Sequence, residues 1–420
     1  MSGSNCKKIA LLTLGCKLNY AETSTYERLF RQAGLEVVPW SHKADVYLVN
    51  TCSVTAVADA KSRNLVRKVH RVNPDAAVIV TGCSAQLRRS EIEAIPGVSL
   101  VFGCEQKSAV VPDTLKLLGL TTAVSTPPGP VFAAWSSGER TRSFLKVQDG
   151  CDNFCKYCTV PYARGRSRNV PISECVANAA KAAALGVKEI VLTGVNTGDF
   201  GRTTGESFSD LLKALDKVDG IERYRISSIE PNLLTEEIVD WIASGTKFQP
   251  HFHIPLQTGC DELLQKMGRR YDTAFFASRI DYVRKALEAP GRPKVFFGID
   301  VMVGLPGETE ALFRQTYSFL EQLRPAFIHV FPYSRRPGTP AASMPGQVAE
   351  AVKKERVAAL ESLCASLHSD FVEANRGIRE RVLFESTDHG GFMEGYTGNY
   401  IRIRRPWEEA LCGQLVDVTI

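Results

Sequence analysis

The chain has 420 residues, 44% of them hydrophobic, with a formal net charge of +5; that is enough apolar side chain for two or three cored domains. No apolar run reaches the roughly 20 residues a membrane span needs, and MSGSNCKKIALLTLGC lacks the layout of a secretory signal, so a cytoplasmic protein with no membrane partner is expected. Twelve cysteines diluted in so long a chain point to metal binding or catalysis rather than disulfide staples.

Residues 1–120 alternate between short β-rich runs (KIALLTL, EVV, DVYLVN, AAVIVTG, SLVFG) and helical stretches such as AETSTYERLFRQAG and DAKSRNLVRKVHRV. This alternation predicts an open parallel α/β domain. Cys16, Cys52 and Cys83 each follow a predicted strand and precede a predicted helix. Strand carboxyl ends of such a sheet converge on one edge, where ligands bind, so three thiols far apart in sequence can meet there. The pattern alone equally allows three buried small hydrophobes, since free cysteine is among the most buried residue types. Cys104, after SLVFG, is the one rival for a ligand role.

Residues 121–142, rich in proline and small side chains, read as a linker. From 143 to 375 a second series follows, with strands near FLKVQ, EIVLTG, YRISSI, HFHIPLQ, VFFGIDVMVG and FIHVFPYS. Six strand–helix units predict a partial (α/β)6 barrel, short of the full eight. The segment VAEAVKKERVAALESLCASLHSDFVEAN carries Val357, Leu360, Leu363, Leu367 and Phe371 at helical spacing. Residues 376–420 alternate in period two and read as a small all-β, barrel-like module.

The most specific local signal is GCDNFCKYCTVPYARGRSR, in which Cys151, Cys155 and Cys158 form a Cys-x3-Cys-x2-Cys triplet. Three thiolates so spaced can hold three corners of a [4Fe–4S] cube and leave its fourth iron free for a small molecule. A structural zinc site needs a closed set of four ligands, and residues 159–170 contain neither Cys nor His. Around the triplet seven basic residues (Arg140, Arg142, Lys146, Lys156, Arg164, Arg166, Arg168) face two acidic ones, Asp149 and Asp152. Such a stretch either attracts a polyanion or is an ordinary solvated loop.

With Tyr157 just before its last cysteine, this motif resembles those of radical S-adenosylmethionine enzymes, and the whole chain resembles the methylthiotransferases among them. The likeness spans the N-terminal domain with three separated cysteines, the triplet-bearing barrel, and a C-terminal module of the TRAM type that binds RNA. HIPLQTGCDELLQKMGRRY, residues 253–271, is similar to the family's H-x-P-x-Q-S-G-S…M-x-R-x-Y block and contains Gln257 and Arg269; Thr258 and Cys260 replace its two usual serines. GIDVMVGLPGETE, residues 298–310, resembles the strand-five segment, where Gly304 and Gly307 are expected to let the backbone approach the cofactor. TGVNTGDFG, with Gly194 and Asn196, occupies the turn that holds the methionine end of S-adenosylmethionine in such enzymes. The run VPYARGRSRN and the VNTGDFG turn resemble the branch that modifies threonylcarbamoyladenosine beside the tRNA anticodon; the isopentenyladenosine and ribosomal-protein branches are the alternatives.

The resemblance implies two [4Fe–4S] clusters, one on Cys151, Cys155 and Cys158 that chelates S-adenosylmethionine, and an auxiliary one on Cys16, Cys52 and Cys83 that supplies sulfur. It implies an anticodon stem-loop as partner and an electron donor such as flavodoxin or ferredoxin. Adenine C2 carries an unactivated C–H bond, so the hard step belongs to the cofactors, and no side chain is singled out as catalytic. Arg164, Arg166 and Arg168 are candidates for phosphate or threonylcarbamoyl carboxylate contacts, because guanidinium pairs bidentately with both. In the C-terminal module Arg376, Arg379, Arg381, Arg402, Arg404 and Arg405 interleave with Phe384, Phe392, Tyr396, Tyr400 and Trp407, a mixture suited to single-stranded RNA. His253, with Pro255 and Gln257, is expected to line the barrel, and His251 to be packed. A non-catalytic iron–sulfur carrier or scaffold is the rival from another class; it would need neither barrel nor glycine turns nor RNA module.

Overall fold

The computed structural model describes residues 6–120, 124, 131–138 and 141–420; most of the expected linker, and Arg140, lie outside the described residues. The first sheet contains β1 (Lys8–Thr13), β2 (Glu36–Val38), β3 (Val46–Thr51), β4 (Ala77–Gly82) and β5 (Val98–Phe102), all parallel, in the order β2-β1-β3-β4-β5. Its strands are nearly unbroken apolar runs because both faces are covered. Ile9, Val46, Leu48 and Ile79 pack with Tyr26 and Phe30 of helix Lys17–Gln32, whereas Ala10, Val49, Val78 and Val80 pack with Val66 and Val69 of helix Ala56–Val72.

The second sheet opens with β6 (Arg142–Lys146). A two-stranded antiparallel clip follows, β7 (Gln148–Asp149) with β8 (Arg168–Asn169). Then come β9 (Glu189–Thr193), β10 (Arg223–Ile226), β11 (Phe248–Gln257), β12 (Phe296–Val303) and β13 (Phe327–Pro332), joined to β6 as six parallel neighbours in chain order. Period-two alternation sends Leu145, Ile190, Leu192, Tyr224, Ile226, Phe252, Ile254, Phe297 and Ile299 outward into the helical layer. The opposite, inner face carries Arg142, Glu189, Arg225, His251, His253, Asp300 and His329. Side-chain caps start the covering helices: Ser207, Thr235, Asp272 and Thr309 each accept a bond from the third residue on. Residues 131–138 are not a free tether. Ser136 N donates to Phe144 O at 3.0 Å and Lys146 N to Ala134 O at 2.8 Å, so the segment covers the otherwise open edge of β6. Thr25 of helix Lys17–Gln32 exchanges hydrogen bonds with Trp135 on the same strap.

The last four strands, β14 (Arg379–Phe384), β15 (Phe392–Tyr396), β16 (Arg402–Pro406) and β17 (Leu415–Thr419), form a curled antiparallel sheet in the order β16-β15-β14-β17. Val382, Phe384 and Met393 make its core. Its turn after Tyr396 docks on the beginnings of the barrel strands. Arg225 donates to Gly398 O at 2.7 Å and to Thr397 O at 2.8 Å, and Arg142 to the Tyr400 hydroxyl at 3.0 Å. The Tyr400 ring also lies 4.9 Å from that of His251, which stacks on Phe296. No helix among the described residues is long and apolar enough to cross a membrane.

Candidate functional site

The cysteine triplet occupies the loop that the β7–β8 clip closes. Gly150 and Gly165 at its two ends have φ of +76°, and a Cβ on Gly150 would collide with the Arg166 carbonyl. The Cys151 N–H donates across the loop to Gly165 O at 3.1 Å. Cys151 and Cys155 are buried and Cys158 is half-buried. Each sulfur receives a donor: Asn153 N at 3.5 Å on Cys151, Val160 N at 3.4 Å on Cys158, and Arg269 Nη1 at 3.1 Å on Cys155. Burial pushes the Cys151 thiol up to about 11 and Cys158 up to about 12. Metal-free, these two would stay protonated at neutral pH, and bound iron is the natural counter-charge for their thiolates. Three buried or half-buried sulfurs, each already facing an N–H, fit an iron–sulfur cluster.

Around this loop the expected cofactor residues divide. Arg269 is fixed by Glu230 (2.7 Å) and by the Tyr271 hydroxyl (2.8 Å), and its Nη1 lies 3.5 Å from the Tyr157 hydroxyl. The turn after β9 is tied to the loop by Gln148, whose Oε1 accepts from Val195 N and Asn196 N while its Nε2 donates to Gly150 O. A Cβ on Gly194 would lie 2.8 Å from that Oε1. Asn196 is buried and its Nδ2 has no hydrogen-bond partner among the described residues, an orphan donor that an acceptor on a bound cofactor would satisfy. Gln257 ends β11 at a register shift with φ of +75°, the strained type of backbone that clusters at functional sites. The space of a Cβ at Gly304 is taken by Lys353 of helix Glu350–Glu373, and at Gly307 by Lys266, so these glycines make room for lysine stems.

The second set of cysteines is brought together by strand order. β1, β3 and β4 are neighbours, so Cys16, Cys52 and Cys83 emerge side by side from one sheet edge. Two glycines with left-handed φ set the spacing. A Cβ on Gly15 (φ +103°) would lie 2.8 Å from Cys52 Sγ, and one on Gly82 (φ +100°) would lie 2.5 Å from Thr51 O. Cys104 sits beside Cys83 in a small buried cluster with Ala163. The Cys104 hydrogen bond, with Arg164 and Lys107 nearby, lowers the Cys83 thiol against the effect of burial. Cys104 thus lies within hydrogen-bonding reach of Cys83.

Sequence reasoning missed what joins the two sets. Arg164, just after the barrel triplet, is buried at 2% exposure and donates to Asp149 at 2.8 Å and to Asn19 Oδ1 at 2.5 Å. Asn19 Nδ2 in turn holds Leu14 O at 2.8 Å and Thr51 O at 2.9 Å, backbone that leads into Cys16 and Cys52. Beside them Glu22, fully buried, faces Lys107, Lys146 at 2.8 Å and Arg164 at 3.5 Å, and Lys146 also pairs with Asp149 at 2.7 Å. One bridge thus fixes the loop of one cysteine set against two of the three loops of the other.

The same observation corrects the basic stretch. Lys146 and Arg164 are interior, and Arg142 is committed to Glu385 at 2.7 Å and to Tyr400, so they present no polyanion surface. Arg168 donates to the carbonyls of Arg164 and Arg166. Arg166 alone of the three candidate arginines is open, 76% exposed, and lies over the half-exposed Phe154 ring at 4.7 Å. In the C-terminal module Tyr396 and Tyr400 stack on each other and on barrel residues. Arg376, Arg379, Arg381, Arg402 and Arg405 are paired with carboxylates. Arg404 over the exposed Phe392, at 4.2 Å, is what remains of a local RNA-type face.

Residues 8–103 match the family model described as Uncharacterized protein family UPF0004, and residues 145–320 match the Radical SAM superfamily. The threonylcarbamoyladenosine tRNA methylthiotransferase MtaB of Bacillus subtilis is 38% identical, over 98% of this chain and 93% of that protein. A tRNA-2-methylthio-N(6)-dimethylallyladenosine synthase of Pelotomaculum thermopropionicum is 31% identical over 99% and 95%. Among solved structures, the radical S-adenosylmethionine methyltransferase TsrM of Kitasatospora setae, solved with tryptophan and an analogue of S-adenosylmethionine, superposes with a TM-score of 0.59. At 17% identity, over 80% of this chain and 75% of that one, it speaks for the fold alone.

Proposed function

The chain belongs to the family of threonylcarbamoyladenosine tRNA methylthiotransferases, radical S-adenosylmethionine enzymes, and from that premise we propose its substrate, its second cluster and its residue roles. It inserts a methylthio group at C2 of the N6-threonylcarbamoyladenosine next to a tRNA anticodon. The observation that carries this reading is the Arg164–Asn19 bridge, because a reaction that joins sulfur to an unactivated carbon needs both cysteine sets turned to one cavity. When bound, a [4Fe–4S] cluster with S-adenosylmethionine on Cys151, Cys155 and Cys158 supplies one-electron chemistry, and a second cluster on Cys16, Cys52 and Cys83 supplies sulfur.

The protein's own groups position and shield. Arg269 and two backbone N–H groups hold negative sulfur in a desolvated loop, where such bonds are strong. Asn196 Nδ2 offers a donor to the carboxylate of the cofactor's methionine end. Tyr157, Gly194 and Gln257 border the same space. Arg166 over Phe154, and Arg404 over Phe392, are the exposed cation–aromatic pairs suited to the phosphates and bases of an anticodon stem-loop. The reductant is a small cytoplasmic electron carrier of the flavodoxin or ferredoxin type. Nucleoside mass spectrometry decides the substrate. Reduced enzyme should add a methylthio group to tRNA bearing threonylcarbamoyladenosine and little to tRNA bearing isopentenyladenosine. Equal turnover, or the reverse preference, would overturn the assignment.

A further inference from the structure

The barrel's inner face carries one polar group that none of the roles above uses. His253 on β11, Asp300 on β12 and His329 on β13 place one donor atom each within 4.8 Å of one another, and His253 Nε2 lies 2.7 Å from Asp300 Oδ1. All three remain open to solvent to some degree, so they line a cavity rather than a core. Opposite them stands Lys17, the residue after Cys16 and the first of helix Lys17–Gln32. Its ammonium is in electrostatic reach of Arg142, Asp300 and Arg225, and also of His251 and His329. These are inner-face residues of five different strands, β6, β10, β11, β12 and β13; Tyr20 and Ala21, one turn further along the same helix, pack on the inner-face residues Phe144 and Val191, so the exposed Lys17 begins a helix seated over that face. The other cations there are committed, Arg142 to Glu385 and Arg225 to Glu189. Lys17 has no hydrogen-bond or ion-pair partner among the described residues.

An ammonium above the trio disfavours a divalent cation between the two histidines and Asp300, and favours an anion. The anion must also bring groups for the trio itself: a hydroxyl or N–H for the free Asp300 oxygen, and a partner for an imidazole whose other side is oriented by that carboxylate. A threonylcarbamoyl group has this chemistry, with a carboxylate at one end and a hydroxyl and ureido N–H groups beside it. An isopentenyl group has none of it and would cover these polar groups without pairing them, the kind of mismatch on which discrimination is built. We infer that Lys17, facing His253, Asp300 and His329 across the barrel, forms the subsite for the threonylcarbamoyl side chain, with the ammonium on its carboxylate. This takes over the carboxylate-binding role for which the sequence offered Arg164, Arg166 and Arg168, and it rests on the substrate reading proposed above.

The test is equilibrium binding rather than turnover. Cluster-loaded wild type, Lys17→Gln and Lys17→Arg are titrated with anticodon stem-loop RNA carrying threonylcarbamoyladenosine, its methyl ester, or isopentenyladenosine; iron content is measured on each preparation. Wild type should bind the free acid about ten- to a hundredfold more tightly than the ester, as a charge-assisted bond implies. Lys17→Gln should erase that difference, and Lys17→Arg should keep most of it. The acid–ester comparison needs no variant, so it decides even if Lys17→Gln loses iron. Equal binding of acid and ester by wild type, or an undiminished difference in Lys17→Gln, overturns the subsite while the substrate reading stands. If wild type fails to prefer threonylcarbamoyl over isopentenyl RNA, both fall.

Discussion

Glu22 is a carboxylate without solvent access, kept charged by its neighbours. Burial alone would raise its pKa, but Lys107, Lys146 and Arg164 outweigh that and lower it to about 2. Because the folded value lies below the ordinary carboxylate value of 4.5, the group adds stability above that pH, and the contribution is lost as pH falls toward 2. Glu22→Gln should cost about 3–5 kcal/mol at neutral pH, since it leaves buried cations short of a counter-charge. The gap between variant and wild type should narrow as pH falls below 4.5, where the unfolded chain takes up the proton that folded Glu22 refuses. Urea midpoints measured between neutral pH and pH 3 check both parts, and an unchanged midpoint at neutral pH would refute the argument. None of this was legible from the sequence. Arg164 looked like a phosphate contact because its local string is basic, and its decisive partner, Asn19, lies 145 positions away.

At the scale of elements the sequence was more open. β1, β3 and β4 are short apolar runs, rich in β-branched residues in β3 and β4, each ending in a turn signal, so their existence and parallel pairing were readable, and with them the convergence of Cys16, Cys52 and Cys83. The barrel triplet was plainer still, being local. What could not be read was the reason for each glycine. Gly15 and Gly82 serve the close approach of neighbouring strand ends, whereas Gly304 and Gly307 serve lysine stems from elsewhere in the barrel domain. Gly82→Ala is accordingly expected to spoil the N-terminal cysteine site and spare the barrel one: φ of +100° and a Cβ 2.5 Å from Thr51 O leave no local remedy. Anaerobic reconstitution should give about eight irons per wild-type chain and about four in the variant, matching Cys16, Cys52 and Cys83 changed together to Ala. Wild-type protein that saturates at about four would remove the second cluster.

Over the whole molecule, the C-terminal sheet is a stopper as well as an appendage. Its composition suggested RNA binding, but period-two alternation cannot show that Tyr396 and Tyr400 turn inward onto Arg142, Arg225 and His251. A chain ended at residue 375 would leave the Arg225 guanidinium without two of its acceptors and uncover Phe296. It should melt roughly 5–10 °C below the full chain, as the loss of several hydrogen bonds worth about 1 kcal/mol each implies. An unchanged melting temperature would restore the picture of a module concerned with RNA alone. The buried charges around Glu22 carry a consequence for inheritance. A rearranged gene with a foreign first domain would bring a carboxylate to a barrel without its lysine and arginine, or deprive that barrel of its carboxylate, and no solvent is at hand to settle the difference. Changes at Glu22, Lys107, Lys146, Asp149 and Arg164 are therefore tolerable only in company, so the first domain and the barrel descend as one unit.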